Sequence, residues 1–119
     1  MKQILVIEDD QAIRDTLRML LEMEGYFVVA ANDGAEGLRA LKTMDAPCLV
    51  LLDLMMPVMN GWEFIEAKGK DGHIATIPVL VTSAVADKAD PTTVAGIIKK
   101  PIDIDSLLTF VKQFCSDQN

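Results

Sequence analysis

Acidic and basic side chains fall at three places in this chain where a reaction could use them. Glu8-Asp9-Asp10 follows the apolar run Ile4 to Ile7, Asp53 follows Cys48 to Leu52, and Lys99-Lys100-Pro101 follows Ala95 to Ile98. Carboxylates brought together repel and raise one another's pKa. A hard cation relieves the repulsion: Mg2+ takes oxygen ligands, keeps several waters, and joins one or two carboxylates to a phosphate. A carboxylate can also be the nucleophile that forms an acyl phosphate. With a lysine adding a positive point charge, such a set suits phosphoryl transfer, where catalysis is largely positioning and charge neutralisation. Taken singly, each residue has a plainer explanation. Asp9 and Asp10 cap a helix, Asp53 is a turn residue before Pro57, and Lys100 is a solvated charge. Only their joint placement at strand ends makes a site, because short motifs alone carry high false-positive risk.

The elements that must position them are legible as two alternating patterns. Short apolar runs at Ile4 to Ile7, Tyr26 to Ala30, Cys48 to Leu52, Ile77 to Val81 and, more weakly, Ala95 to Ile98 read as strands buried on both faces. Between the first two, Gln11 to Glu24 carries Ile13, Leu17, Leu20 and Leu21 on one helical face, and Gly25 stops it. A second helix starts after Asn32-Asp33 and turns Leu38 and Leu41 inward. A third runs from Gly61 to about Lys68. The last runs from Asp103 to about Phe114, with Ile104, Leu107, Leu108 and Val111 on one face. Five strands alternating with five helices imply a doubly wound parallel sheet. We expect the flavodoxin-like order 2-1-3-4-5, which brings the carboxyl ends of strands 1 and 3 together. Ala84 to Thr93 has little apolar period, so a loop with a short or broken fourth helix is expected there.

Composition sets the outer bounds. At 119 residues, half of them apolar, the chain can bury a core without staples and reads as one domain over residues 1–119. No output domain is expected after the polar tail Ser116 to Asn119. Eleven Lys and Arg against 18 Asp and Glu give a net charge of -7, a surface that repels phosphate backbones. Direct nucleic-acid binding is therefore not expected. No membrane span or signal peptide is visible, so a cytoplasmic protein is expected. Cys48 and Cys115 have no metal-binding spacing and are expected to be two reduced thiols, Cys48 in a strand and Cys115 on a helix.

Five stretches give a closer identification. Ile4 to Asp10, Asn32-Asp33-Gly34, Leu51 to Gly61, Val81-Thr82-Ser83-Ala84 and Lys100-Pro101 stand in an order and spacing that resemble the receiver domain of two-component response regulators. The resemblance runs from end to end. It implies that Asp53 is the phosphoacceptor, attacking the phosphohistidine of a histidine kinase or phosphotransfer partner, or a small donor such as acetyl phosphate. Glu8 and Asp9 then match the acidic pair that holds Mg2+, Asp9 more directly, and Met55 matches the position whose backbone carbonyl is a metal ligand. Ser83 matches the hydroxyl that bonds a phosphoryl oxygen; Thr82 is the nearby alternative, but counting from Pro78 favours Ser83. Lys100 matches the lysine that pairs with the phosphoryl group, and Pro101 follows it through a cis bond in the family. Phosphorylation is then expected to switch a protein-binding surface.

Three departures stand out against the family pattern. The interval from Ser83 to Lys100 is short, so the fourth helix should be short, displaced or absent. Ile97 replaces the Tyr, Phe or His often found there, which implies a differently built switch. Met55 and Val85 are apolar beside the site, which implies a long-lived phosphoryl group. His73, the only histidine, reads as solvated, Lys99 as a surface charge, Trp62 as packed beside the site, and Met55, Met56 and Met59 as packing around the loop. A haloacid-dehalogenase-type phosphatase would need a second aspartate where Met55 stands. A flavin site would be repelled by Glu8-Asp9-Asp10. A binding module whose phosphorylation is vestigial is the remaining rival.

Overall fold

A computed structural model describes residues 2–84 and 93–116. Among them are β1 (Gln3–Ile7), α1 (Gln11–Met23), β2 (Phe27–Ala31), α2 (Gly34–Thr43), β3 (Leu49–Asp53), α3 (Gly61–Gly69), β4 (Val79–Ser83), β5 (Gly96–Lys99) and α4 (Ile104–Cys115). All strand pairings are parallel, in the order β2-β1-β3-β4-β5, which is the expected flavodoxin-like sheet. The expected irregular fourth helix and Val85 fall on residues 85–92, outside the described residues.

The central strands read as unbroken apolar runs because both faces of the sheet are covered. Ile4, Val6, Leu49, Leu51, Leu80 and Ile98 face one way, onto Leu17 and Leu21 of α1 and Leu107 and Val111 of α4. Leu5, Ile7, Val50, Leu52, Val79 and Val81 face the other, onto Leu41 of α2 and Phe64 of α3. Each described helix begins on a side-chain cap: Asp10, Asp33, Asn60 and Asp103 each accept a bond from the backbone N–H three residues on. Gly25 follows the C-cap of α1 at φ 93, a conformation glycine adopts without a Cβ penalty.

All five strands differ from expectation by one or two residues at an end, β1 starting one residue earlier at Gln3. Tyr26 still donates to Leu21 O, so β2 starts at Phe27. Ile77 closes a turn onto Ile74 O and Pro78 has no N–H, so β4 runs from Val79 to Ser83 rather than from Ile77. β3 and β5 each begin one residue later than their apolar runs suggest.

The expectation of two reduced thiols is wrong. Cys48 and Cys115 form a disulfide with their Cα atoms 5.4 Å apart. Cys48 lies just before β3, half-buried, and Cys115 is the last residue of α4. Separation along the chain gave no hint of this; packing α4 over β3 and β5 brings the two ends together. Among the described residues no helix is long and apolar enough to cross a membrane.

Candidate functional site

The rim formed by the carboxyl ends of β1, β3, β4 and β5 gathers the expected residues. The ladder itself sets the placement: Ile7 of β1 pairs with Leu52 of β3, so Glu8 and Asp53 leave neighbouring strands at one level. Asp53 pairs with Thr82 of β4, which puts Ser83 one step further along, and Ser83 in turn pairs with Lys99 of β5. The Lys100 backbone N–H donates to Ser83 O at 3.0 Å, and the Lys100–Pro101 peptide is cis, as the resemblance implied. Lys99 is exposed, as expected for a solvated charge.

Carboxylate oxygens of Glu8, Asp9 and Asp53 all lie within 4.8 Å of one another. Glu8 is 1% exposed and Asp53 4%, whereas Asp9 faces solvent. Lys100 Nζ donates to Glu8 Oε1 at 2.7 Å and stands 3.5 Å from Asp53 Oδ2. Burial pushes the Glu8 carboxyl up to about 7; the Lys100 hydrogen bond pulls the other way, and the Asp53 charge adds to the rise. Burial also works against the charge of Lys100, but its hydrogen bond to Glu8 and the charges of Glu8 and Asp53 outweigh that and raise its pKa. The site is thus two buried carboxylates and one exposed, with one lysine across them.

Two supports were not foreseen. Arg14, on the first turn and a half of α1, reaches back so that Nη1 donates to Glu8 O at 2.8 Å and Asp9 O at 3.3 Å, fixing the acidic loop. Nothing in the spacing marks Arg14 apart from other helix-surface cations. The second is the loop from β3 to α3. Gly61 donates to Leu54 O and Gly34 donates to Met59 O, at 2.9 and 3.0 Å. A Cβ on Gly61 would stand 2.6 Å from Leu54 Cα and 2.8 Å from Asp53 O, both backbone atoms. Gly61→Ala is therefore expected to destabilise by about 1–3 kcal/mol and to displace Asp53. Urea unfolding checks it; an unchanged midpoint would show that the loop yields freely. Met55 N–H bonds Asp53 Oδ1 at 3.3 Å while the Met55 side chain is exposed, so only the backbone of Met55 belongs to the site. Trp62 is more exposed than expected, at 37%.

A twisted parallel α/β sheet with an acidic, lysine-bridged cluster at the ends of strands 1 and 3 defines a phosphoacceptor-type architecture. The chain matches the model of the response regulator receiver domain over residues 4–112, and it belongs to that family. It is 36% identical over 117 residues to the DNA-binding dual master transcriptional regulator RpaA of Synechocystis, covering 94% of this chain and 48% of that protein. It is 33% identical over 117 residues to an uncharacterised 14.6 kDa protein of Leptolyngbya boryana, covering 88% of it. Among solved structures it resembles the response regulator TrrA of Thermotoga maritima in complex with Mg2+ and BeF, with a TM-score of 0.84 and 27% identity; the match covers 96% of this chain and 99% of that one.

The chain spans about half or less of the first curated relatives it matches, such as RpaA. These relatives are transcriptional regulators, and RpaA binds DNA, so the expected exclusion of nucleic acid as a partner does not stand. The exclusion came from a net charge counted over 119 residues, which describes only the surface those residues make.

Proposed function

We propose that this receiver accepts a phosphoryl group on Asp53 from a histidine kinase or phosphotransfer protein, with Mg2+, and thereby switches a protein-binding surface. The proposal treats residues 1–119 as one receiver domain. The observation that carries it is the carboxylate of Asp53 set within 4.8 Å of two further carboxylates and 3.5 Å from Lys100.

In this reading one Asp53 oxygen attacks the donor phosphorus. The O–P bond forms as the P–N bond of the phosphohistidine breaks, and the imidazole leaves with the electron pair. Lys100 moves its charge from Glu8 toward the transferred phosphoryl oxygens. Ser83, fully buried at the end of β4, offers its hydroxyl to one of them. Asp9, Asp53, Glu8 and the Met55 carbonyl would hold Mg2+, and their all-oxygen chemistry fits that ion. When bound, Mg2+ supplies the positive charge that lets an anionic donor approach three carboxylates. Arg14 keeps the Glu8–Asp9 backbone in place throughout. An apolar groove of about 340 Å³, lined by Ile13, Leu17, Pro101 and Ile104 among others, shares Lys100 with the cluster. It gives a protein donor a place to rest beside Lys100. Ile97 is half-buried in β5 and has no polar handle to link Ser83 to the surface, which favours a switch built differently from the usual one. Exposed Met55 beside the site favours slow loss of the phosphoryl group.

Acetyl phosphate with Mg2+ is expected to add one phosphoryl mass to the peptide containing Asp53, and chelation of the metal is expected to prevent it. No added mass with any donor would leave a binding module as the better reading.

A further inference from the structure

Cys48 and Cys115 lie at the far end of the sheet from the carboxylate cluster. Cys48 precedes β3, whose other end is Asp53. Five residues of strand put the two ends roughly 16 Å apart. The disulfide closes a separation of 67 residues. It joins the half-buried Cys48 to Cys115, which is 2% exposed in the last turn of α4. Both cysteines belong to the core on that face, Cys115 within it and Cys48 packed against it, but most of that core is apolar contact among residues such as Leu107, Val111, Leu49, Leu51 and Leu80. A chain of this size can fold on such a core, so the bond is not needed as a staple.

We propose that Cys48 and Cys115 form a thiol–disulfide exchange site, through which a dithiol reductant or a small disulfide oxidant sets how firmly the C-terminal turn of α4 is held. Cys48 is the less buried of the two residues and is taken as the point of attack. A reductant thiolate attacks Cys48 Sγ and forms a mixed disulfide, and Cys115 leaves as a thiolate and takes a proton. The second thiol of the reductant then frees Cys48 and closes the reductant's own disulfide, so two electrons pass to the protein. In the reverse direction the Cys48 thiolate displaces one thiol from a small disulfide. Cys115 then loses its proton and attacks Cys48 Sγ, expelling the second thiol. Cys115 sits among the last carbonyls of α4, which disfavour a thiolate, so Cys48 is the first nucleophile. Because α4 packs on β3 and β5, opening the bond loosens its last turn and leaves the phosphorylation rim in place.

The test equilibrates the full chain in glutathione redox buffers, followed by thiol labelling and intact mass. A single two-electron transition between two folded forms is expected. The reduced form should melt about 10–15 °C lower, from the loop that the bond closes. Amide exchange at residues 111–116 should speed up at least tenfold on reduction, while exchange in β1 and β3 holds. Phosphoryl uptake from acetyl phosphate should change less than twofold. Cys48→Ser and Cys115→Ser should each show the melting and α4 exchange of the reduced form in any buffer, and Cys115→Ser should hold a glutathione adduct on Cys48 in oxidising buffer. Two labelled thiols even in oxidised glutathione would overturn the proposal. So would global unfolding on reduction, which would make the bond a staple, or unchanged exchange in α4, which would make it inert.

Discussion

Asp53→Asn is expected to take up no phosphoryl mass and, in metal-free buffer near neutral pH, to be more stable than the wild type by about 1 kcal/mol or more. The loss follows from removing the nucleophile, since an amide oxygen cannot form the acyl phosphate. The gain follows from the electrostatics of the site. Asp53 is 4% exposed, with carboxylate oxygens of Glu8 and Asp9 within 4.8 Å. Two unit charges at that range repel by about 3 kcal/mol at an effective dielectric of about 20. Lys100 offsets part of this at 3.5 Å, but its short bond, 2.7 Å, goes to Glu8 and survives the substitution. Asn keeps the shape and removes the Asp53 charge beside Asp9 and the partly ionised Glu8, and it relieves the Coulombic push on Glu8. Urea unfolding in chelator compares the two proteins. Mg2+ should then raise the melting temperature of the wild type by binding its folded form, and raise that of Asp53→Asn much less. A variant less stable than wild type in chelator would mean that the Lys100–Asp53 contact outweighs the repulsion, and the account of the cluster would be wrong.

How much of this was readable beforehand depends on the range of the interaction. Parallel pairing followed from strand–helix alternation and from solid apolar runs such as Leu49 to Leu52, which are typical of strands covered on both faces, and the order 2-1-3-4-5 was chosen from the doubly wound orders that this leaves. Glu8, Asp9, Asp53 and Lys100 stood out as candidates because ligands gather at strand ends in this topology, whereas Ser83 came only from the family resemblance. The helix cap at Asp33 was local and therefore legible. Interactions decided by packing were not. The reach of Arg14 back to Glu8 O depends on the angle at which α1 leaves β1. The approach of Gly61 to Asp53 O depends on the turn around Val58, which takes φ 67 although it is β-branched. The disulfide depends on where α4 ends over the sheet. Thr82 and Ser83 were separated only by counting from Pro78, and the ladder places Thr82 directly opposite Asp53 with Ser83 beyond it. Charge misled in a different way, because a composition describes the residues counted and not the whole of a longer relative.

Metal-free protein is expected to lose stability as pH rises from about 5 to 8, and Lys100→Met is expected to make that loss larger. Glu8 has a folded-state pKa of about 7 against an ordinary value of 4.5. Between those values the folded protein holds a proton that the unfolded chain has released. Unfolding therefore releases protons, and stability falls with pH until Glu8 is ionised in both states. Lys100, whose pKa is raised, contributes stability that is lost only above its folded pKa, in the alkaline range, and does not affect this window. Removing Lys100 takes away the hydrogen bond and the charge that hold Glu8 down, so the Glu8 pKa climbs further and the decline extends to higher pH. At pH 8 the variant must either hold the 1% exposed Glu8 ionised without its cation or keep it protonated against the solvent, a defect that costs about 3–5 kcal/mol. Near pH 5.5 Glu8 is mostly protonated, and the cost should shrink to about 1 kcal/mol, the scale of one lost hydrogen bond. Phosphoryl uptake should fall about 100-fold or more at either pH, because the positive group facing the transferred oxygens is gone. Urea melts of both proteins at the two pH values measure the difference. Equal destabilisation at pH 5.5 and pH 8 would show that Lys100 holds the rim by packing along its methylenes and not by neutralising Glu8.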